Sequence, residues 1–317
     1  MDQVNLAKLA VKALENYKQN VVSCTFFAKE TSTVYKVTND KNQDFALKIH
    51  DQEFTNLEDS IIEIQILEAI RKDGAIQTAE LIQNKGGHPV TIYSDPSSEK
   101  TYRITLTKWL KGVNFKGNET EQIFFELGKT VAQLHNITKN IVLPEKVTPK
   151  AWNQVFYFRN ESAVYHDPIH KNKFSDEFVE VMDTAVPILN QQLKRIYDSE
   201  KPILLHGDLN PWNIKIQNKQ LAIFDFEDAI FGPPIHDLAI LFYYYRQNPD
   251  FGYEHVKEHV LKGYAEFNEI KDFSDKDIET LIMARNANFL NYVLTLEGDY
   301  KDYIAKGLTK LKAYLNA

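Results

Sequence analysis

The chain has 317 residues, 43% hydrophobic and 26% charged, with only 12 glycines and 11 prolines; this excludes collagen-like, low-complexity and disordered classes and suits about two domains. A formal charge of −7, from 37 basic and 44 acidic side chains, gives no overall attraction for nucleic acid or an anionic membrane. The longest wholly apolar run, Leu238–Tyr245, is far shorter than the ~20 residues that span a bilayer, and Asp2, Lys8, Lys12 and Glu15 leave no signal-peptide core at the start. A lone Cys24 closes no internal disulfide, so a cytoplasmic protein with no membrane and no nucleic-acid partner is expected.

Leu6, Leu9, Ala10, Ala13, Leu14 and Tyr17 fall at helical spacing and predict an amphipathic first helix. The β-rich runs Thr33–Thr38 and Phe45–Ile49 flank the turn cluster Asn39-Asp40-Lys41-Asn42 and predict a hairpin. Along the second run, alternation puts Ala46 and Lys48 on one face and Leu47 and Ile49 on the other. Thr55 with Glu58 reads as a capping box for a helix over about 55–72 that stops at Gly74, with Ser60 and Glu63 as a rival start. Further strands are expected around Thr91–Tyr93 and Tyr102–Trp109, on either side of the turn Asp95-Pro96-Ser97-Ser98. After Lys111-Gly112 the pattern turns helical near 119–136, 176–198, 234–247, 253–269, 275–296 and 299–315, with one β island over 203–225. The chain therefore divides into a small β-rich lobe, 1–108, and a larger, mostly helical lobe, 109–317.

The densest polar cluster is His206-Gly207-Asp208-Leu209-Asn210-Pro211-Trp212-Asn213, followed by Ile223-Phe224-Asp225-Phe226-Glu227-Asp228. Apolar residues flank both, so short buried strands end by presenting Asp208 and Asp225, and buried carboxylates need partners. Either turn alone reads as an ordinary Asx-rich turn; the pair is what stands out. Two carboxylates and the Asn213 amide oxygen are the hard donors Mg²⁺ prefers, and phosphate and water complete its shell. Lys48 in a half-buried strand needs an anion unless it faces solvent. Glu63, hemmed by Ile62, Ile64 and Ile66, needs a cation, so the two are expected to pair, with Glu68 as the alternative. His206 shares a face with Asp208 and reads as a brace more readily than as a base. The remaining histidines show no ligand-like spacing, and no zinc site is expected.

His206-Gly207-Asp208-x4-Asn213 with Ile223-Phe224-Asp225, then Gly232 and Asp237-Leu238-Ala239, resembles the aminoglycoside phosphotransferase and choline kinase-like family over roughly residues 20–300, counting the lobe order. The resemblance implies an α+β, protein-kinase-like two-lobe fold that uses ATP (GTP remaining open) and Mg²⁺. It implies Asp208 as catalytic base, Asn213 and Asp225 as metal ligands, and Asp237 with His206 as braces of the catalytic loop. Lys48 would meet the nucleotide with Glu63 as its ion pair, and the backbone of the Thr105–Leu110 edge, with Thr107, Trp109 and Leu110, would meet the purine. Leu127–His135 matches a recurrent helix of the family, with His135 structural. One departure is clear: Phe27-Ala28-Lys29-Glu30-Thr31-Ser32-Thr33 has no glycine where the family often has one. That leaves backbone N–H groups or the Thr31 and Ser32 hydroxyls to cover phosphates.

The implied partner is a small-molecule hydroxyl acceptor, cationic or not: an aminoglycoside, an amino alcohol or a homoserine-like compound. Trp212, Glu227 and Asp228 are the candidate acceptor contacts. Aromatic residues such as Trp152, Tyr157 and Phe242–Tyr245 offer either cation–π surface or plain core. A monomer and a homodimer are both compatible. The rival readings are a nucleotide-binding pseudokinase or regulator, a protein Ser/Thr kinase of the same fold, and a metal-dependent phosphohydrolase. The hydrolase gives Lys48, Glu63 and Asn213 no work, and Phe224-Asp225-Phe226-Glu227 lacks the glycine of the protein-kinase metal loop.

Overall fold

The computed structural model describes residues 3–50, 52, 55–94, 100–157, 161–246, 250–269 and 274–317. The expected turn Asp95-Pro96-Ser97-Ser98 lies outside them. In chain order the first elements are α1 (Gln3–Leu14), β1 (Val21–Lys29), β2 (Ser32–Asn39), β3 (Asp44–His50), α2 (Leu57–Asp73), β4 (Val90–Ser94), β5 (Thr101–Lys108) and β6 (Val113–Asn114). Then come α3 (Glu121–Thr138), α4 (Asp176–Ser199), β7 (Ile203–Leu205), β8 (Ile214–Gln217), β9 (Gln220–Ile223) and β10 (Ile230–Gly232). Four helices complete the chain: α5 (Ile235–Tyr245), α6 (Tyr253–Tyr264), α7 (Asp275–Tyr292) and α8 (Lys301–Leu315).

These elements form two compact units. The first holds Met1–Asn118, Asn140–Thr148 and Trp212–Asp228; the second holds Glu119–Lys139, Pro149–Pro211 and Ala229–Ala317. The first unit thus runs past the expected boundary at 108, and the hydrogen bonding shows why. β6 pairs with β8, and β8 with β9. The end of β9 is tied in turn to the segment after α2: Ile223 N–H donates to the Gln77 carbonyl at 3.1 Å, and the Thr78 hydroxyl donates to the Ile223 carbonyl at 2.7 Å.

In the first unit the sheet is antiparallel with order β1-β2-β3-β5-β4. One sheet face presents Tyr35, Val37, Phe45, Leu47 and Ile49, and α1 covers it with Leu6, Leu9, Ala10 and Ala13. Strand alternation therefore sends Lys48 to the opposite face. The β2–β3 turn is closed by Asn39, whose side-chain oxygen accepts from the N–H groups of Lys41 and Gln43, at 3.0 and 2.9 Å. β1 escaped the sequence pattern because it is an edge strand with Val22, Phe26 and Phe27 exposed, so no clean in–out alternation marks it.

The start of α2 also differs from expectation. Its N-cap is Asn56, in a capping box with Asp59, and not Thr55 with Glu58. The reason is Arg103 on β5, buried and donating to the Thr55 carbonyl and hydroxyl at 2.5 and 2.7 Å, to the Ser60 hydroxyl at 2.5 Å, and to the Asn56 carbonyl. Thr55 and Ser60, the two candidate caps, are thereby spent on a guanidinium, and Glu58 accepts instead from Thr148 N–H at 3.1 Å. The same contacts anchor α2 to the sheet and so position Glu63.

In the second unit all six expected helices are present, α6 ending at Tyr264 instead of 269. α3 and α6 cross at backbone contact. A Cβ on Gly128 would sit 2.0 Å from the Val260 carbonyl oxygen, and one on Gly263 would sit 1.9 Å from that of Phe125, so only glycine fits at either position. The short β7–β10 ladder lies in a cluster with Trp152, Tyr157 and Ile240. α7 packs against α4, α5 and α8 and is buried along most of its length, polar residues included. Among the described residues no helix is long and apolar enough to cross a membrane.

Candidate active site

The first unit gathers Lys48, Asp225 and Glu227. Lys48 reaches from β3 to Asp225 Oδ1 at 2.5 Å and Glu227 Oε2 at 2.9 Å, and its side chain is only 14% exposed. Burial works against the ammonium, but the carboxylates of Asp225, Glu227 and Glu63 outweigh it and hold its pKa well above the usual lysine value. Asp225 follows β9 with φ +71, a left-handed backbone that Asp tolerates better than most residues and that turns its side chain out of the strand line. Asn213 stands beside it, since its carbonyl accepts from Phe224 N–H at 3.1 Å. Sequence reasoning thus placed together Lys48, Asp225 and Asn213, and the fold brings the same three into one neighbourhood of the first unit.

Glu63 departs from expectation. No ion pair joins it to Lys48, whose Nζ is held by Asp225 and Glu227, and Glu63 Oε2 is buried with no hydrogen-bond partner. Burial pushes its pKa up to about 7, with the Lys48 charge offsetting only part of that rise. Glu68, the alternative partner, is exposed on α2.

Glu227, expected among the acceptor contacts, is engaged inside the first unit. It accepts from the hydroxyls of Thr31 (2.7 Å) and Ser32 (2.8 Å), besides the Lys48 ammonium. Burial alone would raise its pKa, yet Lys48, His50 and Thr31 hold it well below the ordinary carboxylate range. In this structure the hydroxyls offered for phosphates therefore tie the β1–β2 turn to Glu227. Of the other acceptor candidates, the Trp212 ring is exposed and Asp228 is half-buried at the end of the same segment.

At the end of β5, Trp109 N–H donates to the Asp44 carbonyl at 2.9 Å, and its ring meets Phe27 edge-on at 4.9 Å with Lys36 Nζ 5.3 Å from its centre. Thr107 pairs with Ala46 across the β3–β5 ladder. Leu110 lines a cavity of about 360 Å³ with Ile70, Ile76, Trp109 and Lys111; Lys48 and Asp225 are not among its walls.

The second unit holds the His206-Gly207-Asp208 turn through one buried carboxylate. Asp237 Oδ2 accepts from His206 N–H at 2.8 Å and lies 3.1 Å from His135 Nε2, and Oδ1 accepts from Gly207 N–H at 3.0 Å. Burial opposes ionisation of Asp237, and these bonds with the neighbouring histidines overcome it, so its pKa stays below the ordinary value. Gly207 has φ +80, which the turn requires and glycine supplies without strain. His206 Nδ1 accepts from Asp208 N–H at 3.2 Å, and His135 is held at its other nitrogen by the Tyr264 hydroxyl at 2.9 Å. Both histidines are thus fixed within the loop scaffold.

Two partners of Asp208 were absent from the sequence reading. Asn210 Nδ2 donates to Asp208 Oδ2 at 2.6 Å, and Arg285 Nη2 donates to Asp208 Oδ1, also at 2.6 Å. The signal for Arg285 was available: it interrupts the apolar run Leu281-Ile282-Met283-Ala284, and an arginine on such a helix needs a buried anion. The histidine spacing was also misread. His255 and His259, four apart on α6, share a face with Glu121 of α3, and the three offer ligand atoms within 4.8 Å of one another.

With this geometry in place, the comparisons with known proteins agree on one family. The chain matches the phosphotransferase enzyme family over residues 23–270 and belongs to it. It is 25% identical over 257 residues to amicoumacin kinase of Bacillus subtilis (strain 168), spanning 77% of this chain and 72% of that one. It is also 25% identical over 248 residues to hydroxylysine kinase of Bos taurus, spanning 72% of this chain and 64% of the relative. A solved structure of an amicoumacin kinase in complex with AMP-PNP, Ca²⁺ and Ami aligns with a TM-score of 0.80 at 20% identity, covering 99% of this chain and 94% of that one. The fold is the protein-kinase-like two-lobe fold, and the protein is a phosphotransferase of the aminoglycoside phosphotransferase and choline kinase superfamily of small-molecule kinases.

Proposed function

We propose that this protein transfers the γ-phosphoryl group of ATP to a hydroxyl of a small molecule. The observation that carries the reading is the cluster in which one buried lysine is held by Asp225 and Glu227 beside Asn213. A lysine, a carboxylate and an amide oxygen are the groups phosphoryl transfer asks of a protein near a nucleotide, because the reaction depends mainly on positioning and on neutralising charge. The family match supports use of a nucleotide. Relatives named for amicoumacin and for hydroxylysine support a small-molecule acceptor over a protein one.

Asp225 and Asn213 would hold Mg²⁺. The donor set fits: one carboxylate on a left-handed turn and one amide whose own backbone carbonyl is bonded to that turn. When bound, the metal neutralises charge on the phosphate oxygens. Lys48 would exchange its carboxylate partners for phosphate oxygens. Asp208 would orient the acceptor hydroxyl and accept its proton at a carboxylate oxygen. Its position is kept by the Asp237-bonded turn and by Asn210. Because the proton moves late in a loose transition state, the reaction asks this carboxylate mainly to orient the hydroxyl.

The test is ADP release from Mg·ATP across amino alcohols, hydroxy acids, aminoglycosides and sugars, with Asp208→Ala beside the parent. An acceptor whose turnover falls by more than a hundredfold in the variant supports the reading. Turnover that survives within about tenfold, a loss of only ~1.4 kcal/mol in barrier, refutes the role of Asp208. Tight nucleotide binding with no turnover on any acceptor refutes the activity itself.

A further inference from the structure

Arg285 is held in a way that leaves it asking for a second anion. It projects from α7 with its side chain only 8% exposed, and Nη2 donates both to Asp208 Oδ1 and to the Tyr244 hydroxyl, at 2.6 and 3.1 Å. Its planar head lies against two rings, with Cζ 4.3 Å from the centre of Phe289 and 5.1 Å from that of Trp152. Tyr157 stacks on the far partner of this pair, its ring 4.0 Å from that of Trp152. Guanidinium stacked on aromatic rings keeps its in-plane N–H groups directed outward from the stack.

One of those donors, and the indole N–H of the Trp152 ring beside it, have no acceptor. Arg285 Nε is buried without a hydrogen-bond partner, and so is Trp152 Nε1. Native proteins leave few buried donors unmatched, and two on touching side chains mark a place where a ligand oxygen belongs. The charge balance points the same way. The acid in contact with Arg285 is Asp208, and Asp208 already accepts at both oxygens, from Arg285 and from Asn210. A guanidinium with its own Nε–H unmatched and one further spare donor, the Trp152 indole N–H, beside it suits an anion and disfavours a cationic amine.

Resting on the kinase reading above, we propose that Arg285 and Trp152 form the acceptor-specificity site and that the acceptor carries a carboxylate close to the hydroxyl it presents. Arg285 Nε and Trp152 Nε1 donate to the carboxylate oxygens, while Nη2 keeps its bond to Asp208. One guanidinium then fixes both the base and the substrate, which places hydroxyl and carboxylate within a few bonds of each other, as in β- and γ-hydroxy acids and the corresponding amino acids. Arg can do this because it has five donors in a rigid fork; lysine cannot reproduce it.

The experiment compares kcat/KM for acceptors paired by the presence or loss of the carboxylate: serine with ethanolamine, threonine with 1-aminopropan-2-ol, homoserine with 3-aminopropan-1-ol, and 4-hydroxybutyrate with propan-1-ol. In at least one pair the carboxylate member is favoured tenfold or more. Arg285→Lys and Trp152→Phe each bring that ratio below threefold, chiefly by raising KM for the carboxylate member. Trp152→Phe keeps a ring under the guanidinium and removes one donor, so it carries the comparison if Arg285→Lys does not fold. The inference is overturned if the decarboxylated partner is equal or better in every pair, if no hydroxy acid is turned over, or if the ratio survives both substitutions. An equal loss of kcat on both members of each pair would make Arg285 a positioning residue for Asp208 alone and would overturn the carboxylate site. Turnover of amino alcohols or sugars with the carboxylate compounds idle sinks this inference and leaves the kinase reading standing. Silence across every acceptor class sinks the kinase reading instead.

Discussion

Glu63→Gln tests the energetics of the buried cluster without touching a proposed ligand of metal or phosphate. In the parent, Glu63 is buried at 8% exposure, has one oxygen without a hydrogen-bond partner, and has its pKa raised from 4.5 to about 7 by burial. Between those two pH values the folded protein keeps a proton that the unfolded chain has shed. The folded state therefore binds more protons, and this group's contribution to stability falls as pH rises through the window. At about 1.4 kcal/mol per pH unit, the gap between 4.5 and 7 comes to about 3 kcal/mol once the pH is above 7. Glutamine has nearly the same shape and no charge to desolvate, so it escapes the whole of that cost.

The variant should therefore match the parent near pH 4.5 and exceed it by about 3 kcal/mol at pH 8. Thermal melts of the nucleotide-free protein in a metal chelator at the two pH values read the difference. The shift is about 2–4 °C per kcal/mol for 150–250 residues and smaller for longer chains, so the gain at pH 8 for these 317 residues is about 6 °C or a little less. A second substitution sharpens the test. Lys48→Met removes a cation that opposes the rise, so the advantage of Glu63→Gln at pH 8 should grow in that background. An equal advantage at both pH values, or none at pH 8, would refute the reasoning, because the effect would then come from packing and not from an ionised buried carboxylate.

Three further outcomes follow from contacts already described. Asp237→Ala leaves the His206 and Gly207 N–H groups and His135 without their acceptor; denaturant unfolding should show a loss of about 3–5 kcal/mol, and ADP release should fall with it. Gly128→Ala forces α3 away from the Val260 carbonyl and should cost about 1–3 kcal/mol or more by the same measurement, whereas Gly252→Ala, with nothing within 4 Å of its Cβ, should change stability little. His236, whose Nδ1 lies 2.7 Å from the Tyr197 hydroxyl, is pushed by burial to a pKa of about 3. The unfolded chain binds that proton first, so stability is lost as pH falls below about 6.5, by up to about 5 kcal/mol at pH 3. His236→Gln should flatten the acid limb of a melting-temperature profile, and an unchanged limb would assign the acid loss to other groups.

Much of the fold was legible because it is written in periodicity. α1 repeats its apolar residues at helical spacing against a sheet whose strands β2 and β3 alternate, and the two patterns meet in one core. The elements that escaped carry no such signal. β1 is an exposed edge, and β6 and β10 are two and three residues long, too short for any period to show. The α2 cap was misplaced for a different reason. Thr55-x-x-Glu58 is a sound local signal, but Arg103, nearly fifty residues on, competes for the threonine and wins with a charged donor that could not otherwise be buried.

The same competition governs the candidate site. The turns that carry Asp208 in the second unit and Asn213 and Asp225 in the first were legible because each is built from local constraints: an apolar strand, a turn that needs Gly207 at positive φ, a carboxylate at the strand end. Which anion Lys48 takes is not local. Glu63 faces it from α2, yet Asp225 and Glu227 reach it first, at 2.5 and 2.9 Å, and Glu227 is itself preorganised by two hydroxyls of the β1–β2 turn. Glu63 is then the group left over, its pKa raised by burial with the Lys48 charge offsetting only part of that rise. Arg285 is the mirror case: a cation supplied from far along the chain to one oxygen of a carboxylate whose other oxygen is held by Asn210 of its own loop. In both units the backbone turn is local chemistry, while the partner of each charge is settled by whichever distant side chain can bury itself at the lower electrostatic cost.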